Sequence, residues 1–242
     1  MAEKAHGPLA FGRLFEGREA PLIVGGQAVN LWALEFLGEF PELKRFEPFT
    51  SHDCDLYGDT ELLERLSRLT GWPSKPSRQR SPSPVVGYLR GAAPDGSVLI
   101  VEILFTLRGL TSEEIRQNAV ALEVDGKIYR TLSPIALLKA KVANLAELSQ
   151  AHRQDLRHAR ILITCVAGYI ARAHAKIESG EMSDKAFLKL LTACQEVACS
   201  RQARKVAEAH RISFRGCFPD LLHASPSERA RKFAVHQIRR VP

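Results

Sequence analysis

Two short stretches of the sequence are the most informative about fold and function: Leu22-Ile23-Val24-Gly25-Gly26-Gln27-Ala28-Val29 and Ser51-His52-Asp53-Cys54-Asp55-Leu56-Tyr57. The first is an apolar run that stops at a glycine pair and continues as helix-forming sequence, which predicts a strand, a glycine turn and a helix reaching about residue 40. Glycines at such a turn let the backbone approach a ligand closely, and the N–H groups of a helix start suit phosphate oxygens. A tight turn without a ligand is the simpler interpretation of a glycine pair alone.

The second stretch places two carboxylates one residue apart in a strand-forming run. Side chains of a strand alternate between its faces, so Asp53 and Asp55 point to one side while Cys54 and Leu56 point to the core. Two neighbouring carboxylates repel each other unless a cation lies between them, and Mg²⁺ is commonly held by one or two carboxylates together with substrate phosphates. The pair indicates a metal site, although two solvent-facing acids near a strand end are common.

A third acid, Glu102, lies in the middle of the eight-residue run Val98-Leu99-Ile100-Val101-Glu102-Ile103-Leu104-Phe105. A charged side chain is costly to bury without a partner, and a cation shared with the aspartate pair would supply one. We therefore predict that Glu102 is functional.

The remaining sequence divides into two parts. Asp125-Gly126 between two apolar runs predicts a hairpin, and residues 1–130 read as a mixed sheet with helices. The loop of residues 71–84 carries basic residues that either clamp phosphates or belong to an ordinary exposed loop. Residues 131–242 read as a helical domain. The expected fold class is therefore α/β (α+β), with a mixed sheet, flanking helices and a helical carboxy-terminal domain.

The first helix of the second part carries a lysine on its apolar face. Ser133-Pro134 predicts the helix start, and Lys141 lies near the middle of its apolar face while Lys139 lies well to the side. A lysine so placed either reaches an anion in a cleft or extends its ammonium to solvent. Asp155 lies toward the apolar side of the next helix, so we expect it to face the same cleft.

The composition limits the class of protein, its expected location and its expected partners. The 242 residues are 45% hydrophobic, no apolar run approaches the roughly 18 residues of a membrane span, and no signal peptide pattern is seen, so a cytoplasmic location is expected. The five cysteines lack a Cys-x-x-Cys pair, which predicts reduced thiols. Residues 1–130 carry 15 Lys+Arg against 18 Asp+Glu, and residues 131–242 carry 19 against 9. The basic half suits a polyanionic partner or has only a solvated basic face.

The order of these motifs, a Gly-Gly turn opening a helix, then Asp-x-Asp, then a third acid on a later strand, resembles the nucleotidyltransferase superfamily that includes DNA polymerase β. The match covers about residues 20–106. The segment from Leu132 through Lys141 to Asp155 is similar to the lysine and aspartate motifs of the AbiEii-type toxin branch, which extends the resemblance to about residue 170. The third acid here is Glu, where Asp is commoner in the superfamily.

The resemblance implies transfer of a nucleoside monophosphate from an NTP to an acceptor hydroxyl, with Mg²⁺ or Mn²⁺ as cofactor. It implies metal ligation and catalysis by Asp53, Asp55 and Glu102, catalytic support from Lys141 and Asp155, and nucleotide binding by Gly25, Gly26, Gln27 and Ser51. The acceptor implied is RNA, for instance tRNA, and a toxin relative would have a cognate antitoxin partner. The alternatives are a small-molecule (antibiotic) nucleotidyltransferase and a non-catalytic nucleotide- or partner-binding protein of the same fold.

Overall fold

A computed structural model describes residues 4–15, 20–77 and 83–242, and within these ranges the chain forms seven β-strands and eight α-helices. The strands are β1 (Leu22–Val24), β2 (Asp53–Tyr57), β3 (Ser74–Pro76), β4 (Val85–Ala92), β5 (Val98–Leu104), β6 (Ala119–Val124) and β7 (Lys127–Leu132). The helices are α1 (Gly25–Phe36), α2 (Thr60–Thr70), α3 (Ser112–Gln117), α4 (Pro134–Glu147), α5 (Asp155–Glu178), α6 (Asp184–Cys199), α7 (Arg201–His210) and α8 (Glu228–His236).

The strands form one mixed sheet in the order β3-β4-β5-β2-β1-β7-β6. Strand β2 lies near the centre, parallel to β5 on one side and antiparallel to β1 on the other. The predicted mixed α/β class is confirmed. The predicted hairpin is also present as β6 and β7, joined at Asp125 and Gly126.

Helix α1 begins and ends earlier than the sequence predicts. The sequence predicts a helical segment from Ala28 to Phe40, but Val24 is still extended and the helix begins directly at Gly25. It ends at Phe36, and Phe40 has a non-helical backbone, as is typical of a residue that precedes a proline. The earlier start places the glycine pair inside the first turn of the helix.

Helix α5 packs against α1, which in turn contacts strand β2 of the sheet. A side chain at Gly168 would come within 2.7 Å of the Phe36 ring, so the absence of one lets the two helices approach closely. Trp32 meets Tyr169 edge to face with ring centroids 5.6 Å apart. Arg172 lies 4.4 Å above the Phe36 ring, and it also pairs with Glu35 of α1 and with Glu39, which follows this helix. These contacts hold the second half of α5 against α1.

Three local expectations need correction or completion. Residues 98–104 do not form a uniformly buried strand, since burial alternates along β5 and Glu102 is only partly buried. The loop of residues 71–84 contains strand β3, while Arg78 and Arg80 lie outside the described residues. The sequence Ser225-Pro226-Ser227-Glu228 predicts a capping box that begins at Ser225, but helix α8 is capped by Ser227.

Two further observations bear on the expectations from composition. All five cysteines are free thiols. Among the described residues, no helix is long and apolar enough to cross a membrane. The division into domains of residues 1–130 and 131–242 stays a prediction.

Candidate active site

Three carboxylates meet on one face of the sheet. Asp53 and Asp55 lie on β2, and Asp55 lies opposite Glu102 on the parallel neighbour β5. One carboxylate oxygen from each of the three lies within 4.8 Å of the others. The strand alternation predicted from the sequence is observed, because Cys54 and Leu56 are buried on the opposite face. We call these three residues the acidic triad.

The carboxylates of the triad repel one another in a partly desolvated setting. Burial, together with the charges of Asp53 and Glu102, raises the pKa of Asp55 to about 8, although Lys141 and the Gly26 N–H act in the opposite direction. Burial and the charge of Asp53 also raise the pKa of Glu102 to about 7. The triad therefore favours either bound protons or a bound cation, as is expected of oxygen ligands around a metal ion. The three carboxylates fit a divalent cation.

The glycine turn lies directly against this triad. Gly25 has a φ of +64°, and a β-carbon at this position would lie 1.8 Å from Asp55 Oδ2. The backbone N–H of Gly26 donates a hydrogen bond to the Asp55 carboxylate. A glycine at position 25 thus satisfies both the left-handed backbone and the close approach of the carboxylate.

The other two predicted nucleotide-binding residues lie in different settings. Ser51 is nearly buried in the cleft wall, and its hydroxyl donates to Asp53 Oδ1 at 3.1 Å. The Gln27 side chain is 1% exposed and is engaged by the His6 carbonyl and by the Asn30 amide. The structure brings Ser51 to the acidic triad, and it directs the Gln27 side chain away from the cleft into the protein.

Lys141 and Asp155 form a buried ion pair. Lys141 Nζ lies 2.9 Å from Asp155 Oδ1, and Arg153 Nε lies 2.6 Å from Asp155 Oδ2. Burial alone would raise the pKa of Asp155, but the two cations outweigh it and hold the pKa at about 2. Asn144, one turn after Lys141, lies 3.4 Å from the same carboxylate. Asp155 is therefore ionised and holds the Lys141 ammonium in place.

Lys141 and Asp155 share one open cleft with the acidic triad. The cleft has a volume of about 1120 Å³ and lies between the sheet and helices α4 and α5. Lys139 does not line it, and its ammonium binds Glu114 of α3 instead. The sequence does not decide whether Lys139 or Lys141 matches the lysine of the AbiEii-type motif. Of the two, Lys141 is the one in the cleft.

Because His52 lies beside the aspartate pair, it is the histidine that the sequence indicates as a candidate, and His158 is not indicated. His52 is exposed at the cleft rim, whereas His158 is 4% exposed and lies against the glycine turn. A signal for His158 exists in the sequence: it follows Asp155 by three residues on a helix, so the two share a face. Burial, aided by the charges of Lys141 and Arg157, lowers the pKa of His158 to about 2, so the ring is neutral.

No family model and no curated protein matches this sequence. Among solved structures, an antigenic nucleotidyltransferase-like protein from Paracoccidioides brasiliensis is similar at 16% identity and a TM-score of 0.36, over 59% of this chain and 66% of that one. JHP933 from Helicobacter pylori is similar at 15% identity and a TM-score of 0.27, over 78% of this chain and 98% of that one. At these levels of identity and overlap, neither structure indicates an activity for this chain.

Proposed function

We propose that the protein is a metal-dependent nucleotidyltransferase that moves a nucleoside monophosphate from an NTP to an acceptor hydroxyl. The observation that carries this proposal is the acidic triad against the glycine turn, where the Gly26 N–H binds the carboxylate of Asp55. The order of the motifs in the sequence, which resembles the nucleotidyltransferase superfamily, supports the same reaction.

Asp53, Asp55 and Glu102 would hold Mg²⁺ or Mn²⁺, because three carboxylates without nitrogen or sulfur ligands suit hard cations. When bound, the cation supplies charge neutralisation for the triphosphate and the departing pyrophosphate. The start of helix α1 faces the same cleft and favours phosphate oxygens. Lys141, held by Asp155, adds a positive charge on the opposite wall.

The proposed reaction forms a bond between the acceptor oxygen and the α-phosphorus, and it breaks the bond from the α-phosphorus to the bridging oxygen of the pyrophosphate. The acceptor proton passes to a base. If Asp53 and Asp55 alone hold the cation, Glu102 would accept this proton, since its carboxylate lies beside theirs.

An RNA acceptor is favoured by the position of the basic helices. Helix α7 carries exposed Arg201, Arg204 and Lys205, and Lys205 Nζ reaches the carbonyl of Ala146 at the end of α4. The next residue, Glu147, lines the cleft. A basic surface beside the cleft provides sequence-independent affinity for a phosphate backbone. An AbiEii-type role with an antitoxin partner is part of the same proposal.

The test is incubation of the purified protein with each NTP labelled at the α-phosphate, Mg²⁺ and total tRNA. We expect label in the RNA, lost when Asp55 is replaced in Asp55→Asn. The matched control is Asp125→Asn, since Asn-Gly also suits the hairpin turn at this exposed position. Nucleotide binding without transfer to tRNA, other RNA or a small hydroxyl compound would contradict the proposal and favour the non-catalytic alternative.

A further inference from the structure

His158 is a buried polar side chain without partners. It is 4% exposed, and within the described part of the chain neither ring nitrogen meets a hydrogen-bond partner. Burying a donor or acceptor without a partner is costly, and most such groups in folded proteins are paired. His174 on the same helix shows the ordinary case, because it is equally buried and its Nε2 lies 2.8 Å from the Ser225 hydroxyl. The unpaired nitrogens of His158 call for an explanation.

The position of the ring points to a ligand of the cleft. His158 lines the cleft, and a β-carbon at Gly26 would lie 3.2 Å from its Cε1 atom. The ring therefore packs against the first turn of α1, on the side where Ser51 also lies. Its other charged neighbours are Lys141, Arg157, Arg153 and Asp155, of which three are cations. This setting suits an anionic group rather than a cation.

The chemical state of the ring narrows its role. A neutral imidazole offers one N–H donor and one acceptor nitrogen. With its pKa lowered to about 2, His158 is too weak a base to accept the proton of an acceptor hydroxyl at neutral pH. It also lies outside the carboxylate group that could hold a metal ion. The role that remains for the His158 ring is to donate a hydrogen bond to an anion.

We propose that His158 donates a hydrogen bond to a phosphate oxygen of the nucleotide bound at the Gly25-Gly26 turn. This inference rests on the proposed function and adds a binding residue to it. The second ring nitrogen accepts a hydrogen bond from a water or hydroxyl in the cleft.

The test compares His158→Leu with the wild-type chain by calorimetric titration with Mg²⁺ and each NTP, and with Mg²⁺ and inorganic tripolyphosphate. Loss of one hydrogen bond to a charged group weakens binding about 10- to 100-fold. We expect that loss for both ligands. His158→Gln and His158→Asn keep an amide donor and should recover part of the affinity.

Thermal unfolding separates this role from a structural one. His158→Leu removes two unpaired buried nitrogens, so its Tm should equal or exceed that of the wild type. The matched control, His174→Leu, breaks the contact with Ser225, so its Tm should fall while its nucleotide affinity stays unchanged. If His158→Leu fails to fold, His158→Phe replaces it as the variant without a donor. Weaker binding of both ligands by His158→Phe supports the proposal, and wild-type affinity contradicts it.

Each other outcome is decisive. Unchanged affinity in His158→Leu overturns the inference alone. Weaker NTP binding with unchanged tripolyphosphate binding also overturns it, because the contact is then to the sugar or base. If the wild-type chain binds no NTP, the result contradicts the proposed function itself. This result is seen before any variant is compared.

Discussion

Asp55 on β2 lies directly opposite Glu102 on β5, in a parallel strand pair. A slip of one residue in this pairing would turn one of the two carboxylates to the other face of the sheet. Pairing also continues on both sides, with Cys54 opposite Val101 and Leu56 opposite Ile103, and these four side chains are buried. The packing of the core thus fixes the register on which the acidic triad depends.

The first prediction concerns pH. Asp55 and Glu102 have pKa values of about 8 and about 7 in the folded protein, against 3.8 and 4.5 ordinarily. Between these limits the folded state binds more protons than the unfolded state, so the stability of the metal-free protein should fall as pH rises from about 4 to about 8. Two groups act in the opposite direction: Asp155, with its pKa held at about 2, below about pH 4, and His158, with its pKa lowered from 6.5 to about 2, below about pH 6.5. The fall in stability should therefore be steepest above about pH 6.5.

The measurement is Tm against pH in a chelating buffer, for the wild type and Asp55→Asn. We expect the Tm of the wild type to fall with rising pH, which corresponds to a loss on the order of a few kcal/mol in the free energy of unfolding, and we expect a flatter Tm profile in the variant. Mg²⁺ or Mn²⁺ at pH 8 should restore the wild type more than the variant. Equal metal responses in the two proteins would show that the acidic triad is not the metal site.

The second prediction concerns Gly25. An alanine here adds a β-carbon 1.8 Å from Asp55 Oδ2 and also takes on a left-handed backbone, since φ is +64°. Gly71 has a similar φ of +70° but open space where its β-carbon would lie, so Gly71→Ala isolates the backbone cost of about 1 kcal/mol. Gly25→Ala should lose more stability than Gly71→Ala.

Metal binding gives the clearer contrast between these two glycine variants. Displacing the Asp55 carboxylate should weaken the Mg²⁺-dependent rise in Tm and slow nucleotidyl transfer by about 100-fold, whereas Gly71→Ala should match the wild type in both. A Gly25→Ala protein that responds to Mg²⁺ as Gly71→Ala does would refute the proposed role of the turn.

The third prediction separates the two lysines of α4. Lys141 is buried in the cleft beside Asp155, whereas Lys139 is about two-fifths exposed and binds Glu114. Lys141→Met should reduce nucleotide affinity or transfer by about 10- to 100-fold, as expected for a lost charged hydrogen bond. Lys139→Met should leave both unchanged. Steady-state kinetics of the two variants, with circular dichroism as a check on folding, provides the comparison; an equal loss in both would point to a general helix defect.

Much of this site could be predicted because its signals are local. The spacing of Asp53 and Asp55 predicts one face of a strand, and the helical spacing around Lys141 predicts its place on an apolar face. The start of α4, with Ser133 as the cap and Pro134 as the first helical residue, is likewise local, and it is confirmed. These features depend only on neighbours in the sequence.

What could not be predicted depends on contacts between distant segments. The engagement of the Gln27 side chain by His6 and Asn30 is set by the amino-terminal segment, which a motif comparison does not consider. The partial exposure of Glu102 results from the cleft above one face of β5, and a run of apolar letters cannot show which face is covered. His158 was missed because its neighbours, Gly26 and Ser51, come from the other half of the chain.

Transfer of a nucleoside monophosphate with release of pyrophosphate is tested by parallel reactions with α-labelled and γ-labelled NTP. With Mg²⁺ and the acceptor RNA, the α-label should appear in the RNA and the γ-label in pyrophosphate, and both changes should be absent in Asp55→Asn. Label from the γ-phosphate in the RNA, or free phosphate released without any α-label transferred, would contradict the claim, because it would identify a kinase or a phosphohydrolase at this cleft.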